Sequence, residues 1–110
     1  MESNFAVGIV RMMNNKALYV RLLTKFKSTD NIASLDAAIK AGDMDLIKME
    51  AHTLKGVAAN LALDGLSAKA AALDLAVKEG RVNDIEELFN TIKESYTVTM
   101  AEIEVYISEE

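Results

Sequence analysis

Apolar residues recur every three or four positions along most of the chain, which is the spacing of one face of an α-helix. In the middle of the chain, steps of four and three alternate between Ile47, Ala51, Leu54, Ala58 and Leu61. This alternation is typical of a helix that contributes one seam to a bundle. The carboxylate of Asp43 is well placed to cap its first turn.

The second half of the chain repeats this spacing in two further segments. One should be capped by Asp64 and end at Gly80, and its apolar positions are Leu66, Ala70, Leu73 and Val77. The other covers about six turns through Ile85, Phe89, Ile92, Tyr96, Thr99, Ile103 and Tyr106. Because an isolated helix is marginal in water, we expect this last helix to be packed along its whole length.

The first half of the chain is divided into shorter segments. Phe5, Ile9 and Met12 predict a short N-terminal helix, which should end at the Asn14-Asn15 pair. A second segment has apolar residues from Tyr19 to Phe26, and a third has them from Ile32 to Ile39. Ser28, Thr29 and Asp30 offer capping oxygens between these two segments, although the two could also form one bent helix.

The connections between the longer segments are short. They lie at Gly42, at Leu63-Asp64 and at Gly80, and the chain contains no proline. Short connections make successive helices antiparallel neighbours. The sequence therefore predicts an all-α fold, an up-and-down antiparallel four-helix bundle with an additional short N-terminal helix, formed as a single domain by residues 1–110.

Composition narrows the class of function. With 110 residues, 51% of them hydrophobic, the chain can bury one core, and the absence of Cys excludes disulfides and thiolate metal sites. The net charge of −5 argues against a nucleic-acid partner. No apolar run is long enough to span a membrane, and the first residues lack the features of a signal peptide. We therefore expect a cytoplasmic protein that does not bind membranes.

The chain has a single histidine, His52, which lies next to the apolar seam of the Asp43-capped helix. A lone histidine within a helix is most often a packing or surface residue. However, His52 lies about 100° from Ala51 around the helix, so we expect it at the rim of the buried stripe with its ring in solvent. There it is placed to react as a nucleophile.

The residues that share the histidine's face are cationic or small. Lys48 and Lys55 lie four residues before and three after His52, and Gly56 and Ala59 lie four and seven after it. A neutral imidazole can attack phosphorus, ammonium groups can stabilise phosphoryl oxygens, and small residues let another protein approach. The alternative is an ordinary solvated face in which Gly56 makes a close helix contact.

The segment from Glu50 to Leu61, Glu-Ala-His-Thr-Leu-Lys-Gly-Val-Ala-Ala-Asn-Leu, resembles the signature of histidine-containing phosphotransfer (HPt) domains of two-component phosphorelays. Gly8 to Met12, Leu18 to Phe26, Ala41 to Asp43 and Ala72-Leu73 also resemble family positions, in the same order. The resemblance implies that His52 is the phosphoacceptor, that Lys55 stabilises the phosphoryl group and that Gly56 clears space for the partner. Lys48 and Ala59 are added from helix geometry alone.

Three positions depart from the family pattern. Ala62 replaces a glycine, which leaves open how sharply its helix ends; Val57 replaces a small residue; and Asp74 replaces a glutamate. We expect neither Val57 nor Asp74 to touch the nucleophile.

The resemblance also implies the partners and the absence of a cofactor. The domain would carry a phosphoryl group between aspartates of response-regulator receiver domains, and a hybrid sensor histidine kinase would be a further partner. Mg²⁺ is expected on the receiver, so this chain should bind no metal or other cofactor. The sequence has no Gly-rich phosphate loop, so we expect no kinase activity of its own, and we expect the chain to act as a monomer. The alternative is a bundle that docks on receiver or kinase domains without being phosphorylated. A stand-alone protein and a domain of a hybrid kinase both fit the sequence.

Overall fold

The computed structural model describes residues 3–109, which form six α-helices and a short 3-10 turn at Val82–Asp84. The helices are α1 (Phe5–Arg11), α2 (Lys16–Ser28), α3 (Ala33–Ala41), α4 (Met44–Asn60), α5 (Asp64–Lys78) and α6 (Ile85–Ser108). The second and third predicted segments are thus separate helices. No helix in the described part of the chain is long and apolar enough to cross a membrane.

Side-chain caps begin most of these helices. Asn4, Asn15 and Asp43 each accept a hydrogen bond from a backbone amide of the first turn of α1, α2 and α4. Asp30 accepts bonds from the amides that open α3. The predicted cap at Asp64 is wrong, because Asp64 is the first helical residue of α5 and Leu63 holds the cap position without a side-chain bond. There the Asp64 carboxylate interacts favourably with the positive end of the helix dipole.

The helices form a bundle of 42 × 20 × 20 Å, in which α5 packs against both α4 and α6. Of the remaining helices, α2 packs against α6 and α3 packs against α4. The seam predicted for α4 is buried along its whole length. On α6, Ile85, Phe89, Ile92, Thr99 and Ile103 are buried in the same way. The predicted all-α bundle with a short N-terminal helix is therefore confirmed.

The C-terminal end of α4 is fixed by contacts with the N-terminal helices. The buried Tyr19 hydroxyl donates a hydrogen bond of 2.7 Å to the carbonyl of Leu61. Gly8 lets α1 approach this ring, since a Cβ atom there would overlap it. Ala62 adopts a left-handed φ of 58°, so the helix ends sharply without the glycine of the family pattern. The chain then turns directly into α5.

Met13 lies in the left-handed region, with φ at 56°, in the turn between α1 and α2, and its side chain is 90% exposed. A residue with a Cβ atom destabilises the folded state by roughly 1–2 kcal/mol when its backbone is left-handed. Glycine avoids this cost but loses more backbone entropy on folding, which amounts to roughly 0.5–1 kcal/mol. We expect Met13→Gly to stabilise the protein by about 0.5–1 kcal/mol, measured by urea unfolding. As a control, Met49→Gly, on an exposed position inside α4, should destabilise by about 1 kcal/mol. Destabilisation by both substitutions would contradict this account of the turn.

Candidate functional site

His52 lies in the middle of α4, between the buried seam residues Ala51 and Leu54. Its side chain is 65% exposed, so the imidazole stands at the rim of the seam as its position in the helix predicts. Because the helix is regular on both sides of His52, its backbone groups are paired and the ring is the group left to interact with a partner. The residue is thus rigidly held at its backbone and accessible at its ring.

Asp74 of α5 lies against the inner side of the imidazole. Its Oδ2 atom is 3.6 Å from Nδ1 of His52, and its side chain is only 3% exposed. The expectation that Asp74 would not touch the nucleophile is therefore wrong. The separation is slightly longer than a hydrogen bond, so the contact is electrostatic in this arrangement. A carboxylate beside Nδ1 favours the tautomer that carries its proton on Nδ1, which leaves the lone pair on the outer nitrogen, Nε2.

Two lysines converge on the same carboxylate oxygen. Nζ of Lys78 is 3.2 Å and Nζ of Lys55 is 3.5 Å from Oδ2 of Asp74. Lys55 reaches Asp74 from α4, and Lys78 reaches it from one turn further along α5. The histidine, the carboxylate and both ammonium groups therefore form one charged cluster across the α4–α5 interface.

The charges of this cluster determine how Asp74 titrates. Burial by itself raises the pKa of the Asp74 carboxyl, because it removes water from the charged form. The hydrogen bond and charge of Lys78, the charge of Lys55 and the His52 ring outweigh burial, and the pKa lies below its ordinary value. Asp74 is accordingly an anion at neutral pH, although it is almost fully buried.

The other predicted site residues differ in their surroundings. Lys48 is exposed one turn before His52 and lines the same surface depression, which has a volume of about 430 Å³. Gly56 is exposed, and a Cβ atom built there would meet nothing within 4 Å. The alternative that Gly56 serves a close helix contact is therefore excluded among the described residues. Ala59 is half-buried near the end of α4, and its carbonyl accepts a hydrogen bond from the Arg11 side chain.

Sequence reasoning missed Asp74 and Lys78 because both are on another helix. A signal was nonetheless present, since Asp74 is four residues after Ala70 and adjacent to Leu73 in the apolar stripe of α5. A charged residue within a buried stripe requires partners of opposite charge. The lysine four residues later satisfies that requirement on the same helix.

The cluster has the parts that phosphoryl transfer requires. It presents an accessible imidazole nitrogen, a carboxylate beside the opposite nitrogen, and ammonium groups that can balance phosphoryl charge. Residues 3–109 contain no group of three or more acidic or histidine side chains that could hold a metal ion.

Comparisons with known proteins agree with this chemistry. The family model described as the Hpt domain matches residues 22–102. Among solved structures, the chain is similar to histidine-containing phosphotransfer protein B (HptB) from Pseudomonas aeruginosa PAO1, with a TM-score of 0.89 and 20% sequence identity. The similarity covers 99% of this chain and 96% of that protein's chain. No curated protein matches the sequence.

The lowered pKa of Asp74 predicts a pH-dependent contribution to stability. The unfolded chain titrates Asp near its ordinary value of about 3.9, so the ionised carboxylate stabilises the fold above that pH. The contribution is lost as pH falls from about 4 through the lower folded-state pKa. We expect wild type to exceed Asp74→Asn in unfolding free energy by a constant margin above pH 5, and this margin should shrink towards pH 3.

Urea unfolding of both proteins at a series of pH values measures that margin. In a Lys78→Gln background, part of the pH dependence should remain, because Lys55 still faces Asp74. A margin that stays constant from pH 7 to pH 3 would contradict the assignment of Asp74 as a stabilised buried anion.

Proposed function

Because the chain belongs to the Hpt family, whose function is histidine phosphotransfer in phosphorelays, we propose that His52 is the residue that carries the phosphoryl group. The observation that carries this proposal is the position of the exposed His52 ring over the buried Asp74 carboxylate. His52 is also the only histidine in the sequence. The aspartates of receiver domains are the proposed donors and acceptors, and a hybrid sensor kinase is the proposed source of the phosphate.

In the proposed reaction, the Nε2 lone pair of His52 attacks the phosphorus of an aspartyl phosphate on the receiver. The bond between phosphorus and the aspartate oxygen breaks, and the aspartate leaves with the electron pair. The ring keeps its Nδ1 proton and becomes positively charged, and Asp74 lies beside that proton. The reverse sequence delivers the phosphoryl group to a second receiver.

Lysines near His52 would balance the negative charge of the phosphoryl group. Phosphoryl oxygens on Nε2 would lie outward from the ring, where Lys55 and Lys48 share its helix face. Lys78 lines the depression that contains His52, so it is a third cation near the phosphoryl group. Lys55 and Lys78 are already held near the ring by Asp74, so ordering them for phosphate costs less conformational entropy than recruiting free lysines.

Gly56 and Ala59 complete the proposed receiver-binding surface. Gly56 is one turn after His52 and leaves the helix backbone bare, which allows the receiver's active site to reach the ring. Mg²⁺ is proposed to reside on the receiver, and this chain is proposed to use no cofactor. We also propose that it acts as a cytoplasmic monomer without autonomous kinase activity.

The phosphoacceptor assignment can be tested by transfer of labelled phosphate from a phosphorylated receiver domain. A phosphohistidine is labile in acid and stable in base, whereas an aspartyl phosphate is labile in base. We expect label on the wild-type chain to be lost in mild acid and retained in base, and we expect no label on His52→Gln. Labelling of His52→Gln, or acid-stable label on wild type, would refute the assignment and favour the docking module that is not phosphorylated.

The role of Gly56 can be separated from the stability of α4. Because a Cβ atom at Gly56 meets nothing within 4 Å, Gly56→Ala should stabilise the helix by roughly 1 kcal/mol through helix propensity alone. Gly56→Gln should melt at or above the wild-type temperature yet transfer phosphate roughly tenfold more slowly, a barrier increase of about 1.4 kcal/mol. The control is Ala37→Gln on the exposed face of α3, which should transfer at the wild-type rate. Equal rates for both glutamine variants would leave Gly56 without a role in docking.

A further inference from the structure

A second surface of the molecule exposes apolar residues that the phosphoryl site does not use. Val98 and Val105 of α6 are 47% and 57% exposed, and Ala101 lies between them on the same helix face. Together with Phe5 of α1 and Tyr106, they line a groove of about 550 Å³. We refer to it as the α6 groove.

Carboxylates lie along the α6 side of the groove. Glu102 and Glu109 line it, and Glu94 extends the same stripe one turn before Val98. Among the residues that line the groove within the described chain, none is Lys or Arg. By contrast, the depression at His52 is lined by two lysines, Lys48 and Lys78, and one carboxylate, Asp45. The two surfaces therefore suit partners of opposite charge.

The spacing of the valines and glutamates along α6 indicates which features a partner helix would need. Val98 and Val105 are seven residues apart, or about 10 Å along the axis, and Glu94 and Glu109 are fifteen apart, or about 22 Å. A helix laid in the groove would thus need apolar anchors over two turns and cations about one turn beyond them on each side. A second copy of this chain is disfavoured, because pairing two such grooves brings like charges together.

We propose that the α6 groove binds a basic amphipathic helix of another protein. The helix would place its apolar face on Val98, Ala101 and Val105 and its lysines or arginines near Glu94 and Glu109. None of the residues that line the α6 groove lines the depression that contains His52. Such a segment can therefore stay bound while the histidine surface exchanges partners. The proposal does not depend on His52 being the phosphoacceptor.

The test uses a labelled synthetic helix of about 18 residues, five turns, with leucines spaced for the groove and lysines at both ends. A matched peptide replaces each lysine with glutamate. Fluorescence polarisation with the whole chain should show saturable binding of the lysine peptide, at least about tenfold tighter than the glutamate peptide. Glu94→Gln/Glu109→Gln should reduce that preference, although Glu102 remains in the groove.

Substitutions within the groove locate the binding site. Val98→Gln/Val105→Gln should weaken the affinity for the lysine peptide by about tenfold or more. The control, Leu75→Gln/Val82→Gln, changes similarly exposed positions elsewhere and should alter this affinity by less than about twofold. Both variants should melt like wild type. Lack of saturable binding, equal binding of the two peptides, or undiminished binding to the Val98/Val105 variant would overturn the proposal. So would sedimentation of the chain as a dimer that the Val98/Val105 variant disrupts, since the groove would then bind a second copy.

Discussion

The packing of α5 against α4 is the constraint on which the site depends. It places the buried Asp74 carboxylate on the inner side of the His52 ring, which α4 alone leaves without a partner. A buried carboxylate is tolerated only when cations surround it, and Lys55 and Lys78 reach it from the two helices. Because the buried Asp74 charge must be neutralised, the His52 ring and two ammonium groups lie close together on one surface.

This arrangement links the stability of the interface to its proposed chemistry. In the unphosphorylated protein, the ammonium groups compensate Asp74. A phosphoryl group on His52 would add negative charge close to the same lysines, while the ring would gain positive charge next to Asp74. The ring can then take over part of the compensation that the lysines supply, so the cluster remains close to balanced in both states. Ser67, whose hydroxyl donates to the carbonyl of Lys55, holds the two helices together beside the cluster.

How much of this could be predicted from the sequence depends on whether the information is local. The rim position of His52 and the seam of α4 follow from helical periodicity, and both agree with the structure. The left-handed turn at Gly42 is likewise a local preference of glycine. Asp74 could not be placed in the same way, because its distance to His52 depends on the register of α5 against α4. The error at Asp64 has a different origin, since an acidic residue fits both the cap and the first turn of a helix.

The distribution of charge explains how an acidic chain can present a cationic site. The net charge is −5, yet Lys48, Lys55 and Lys78 are gathered around His52. Many of the compensating carboxylates lie on α6, which packs against α5 and α2. Screening limits interactions between exposed charges to about 10 Å, so a partner at the histidine surface experiences the local cations more strongly than the distant carboxylates. Net charge therefore disfavours a broad polyanion such as nucleic acid but does not prevent the recognition of a single phosphoryl group.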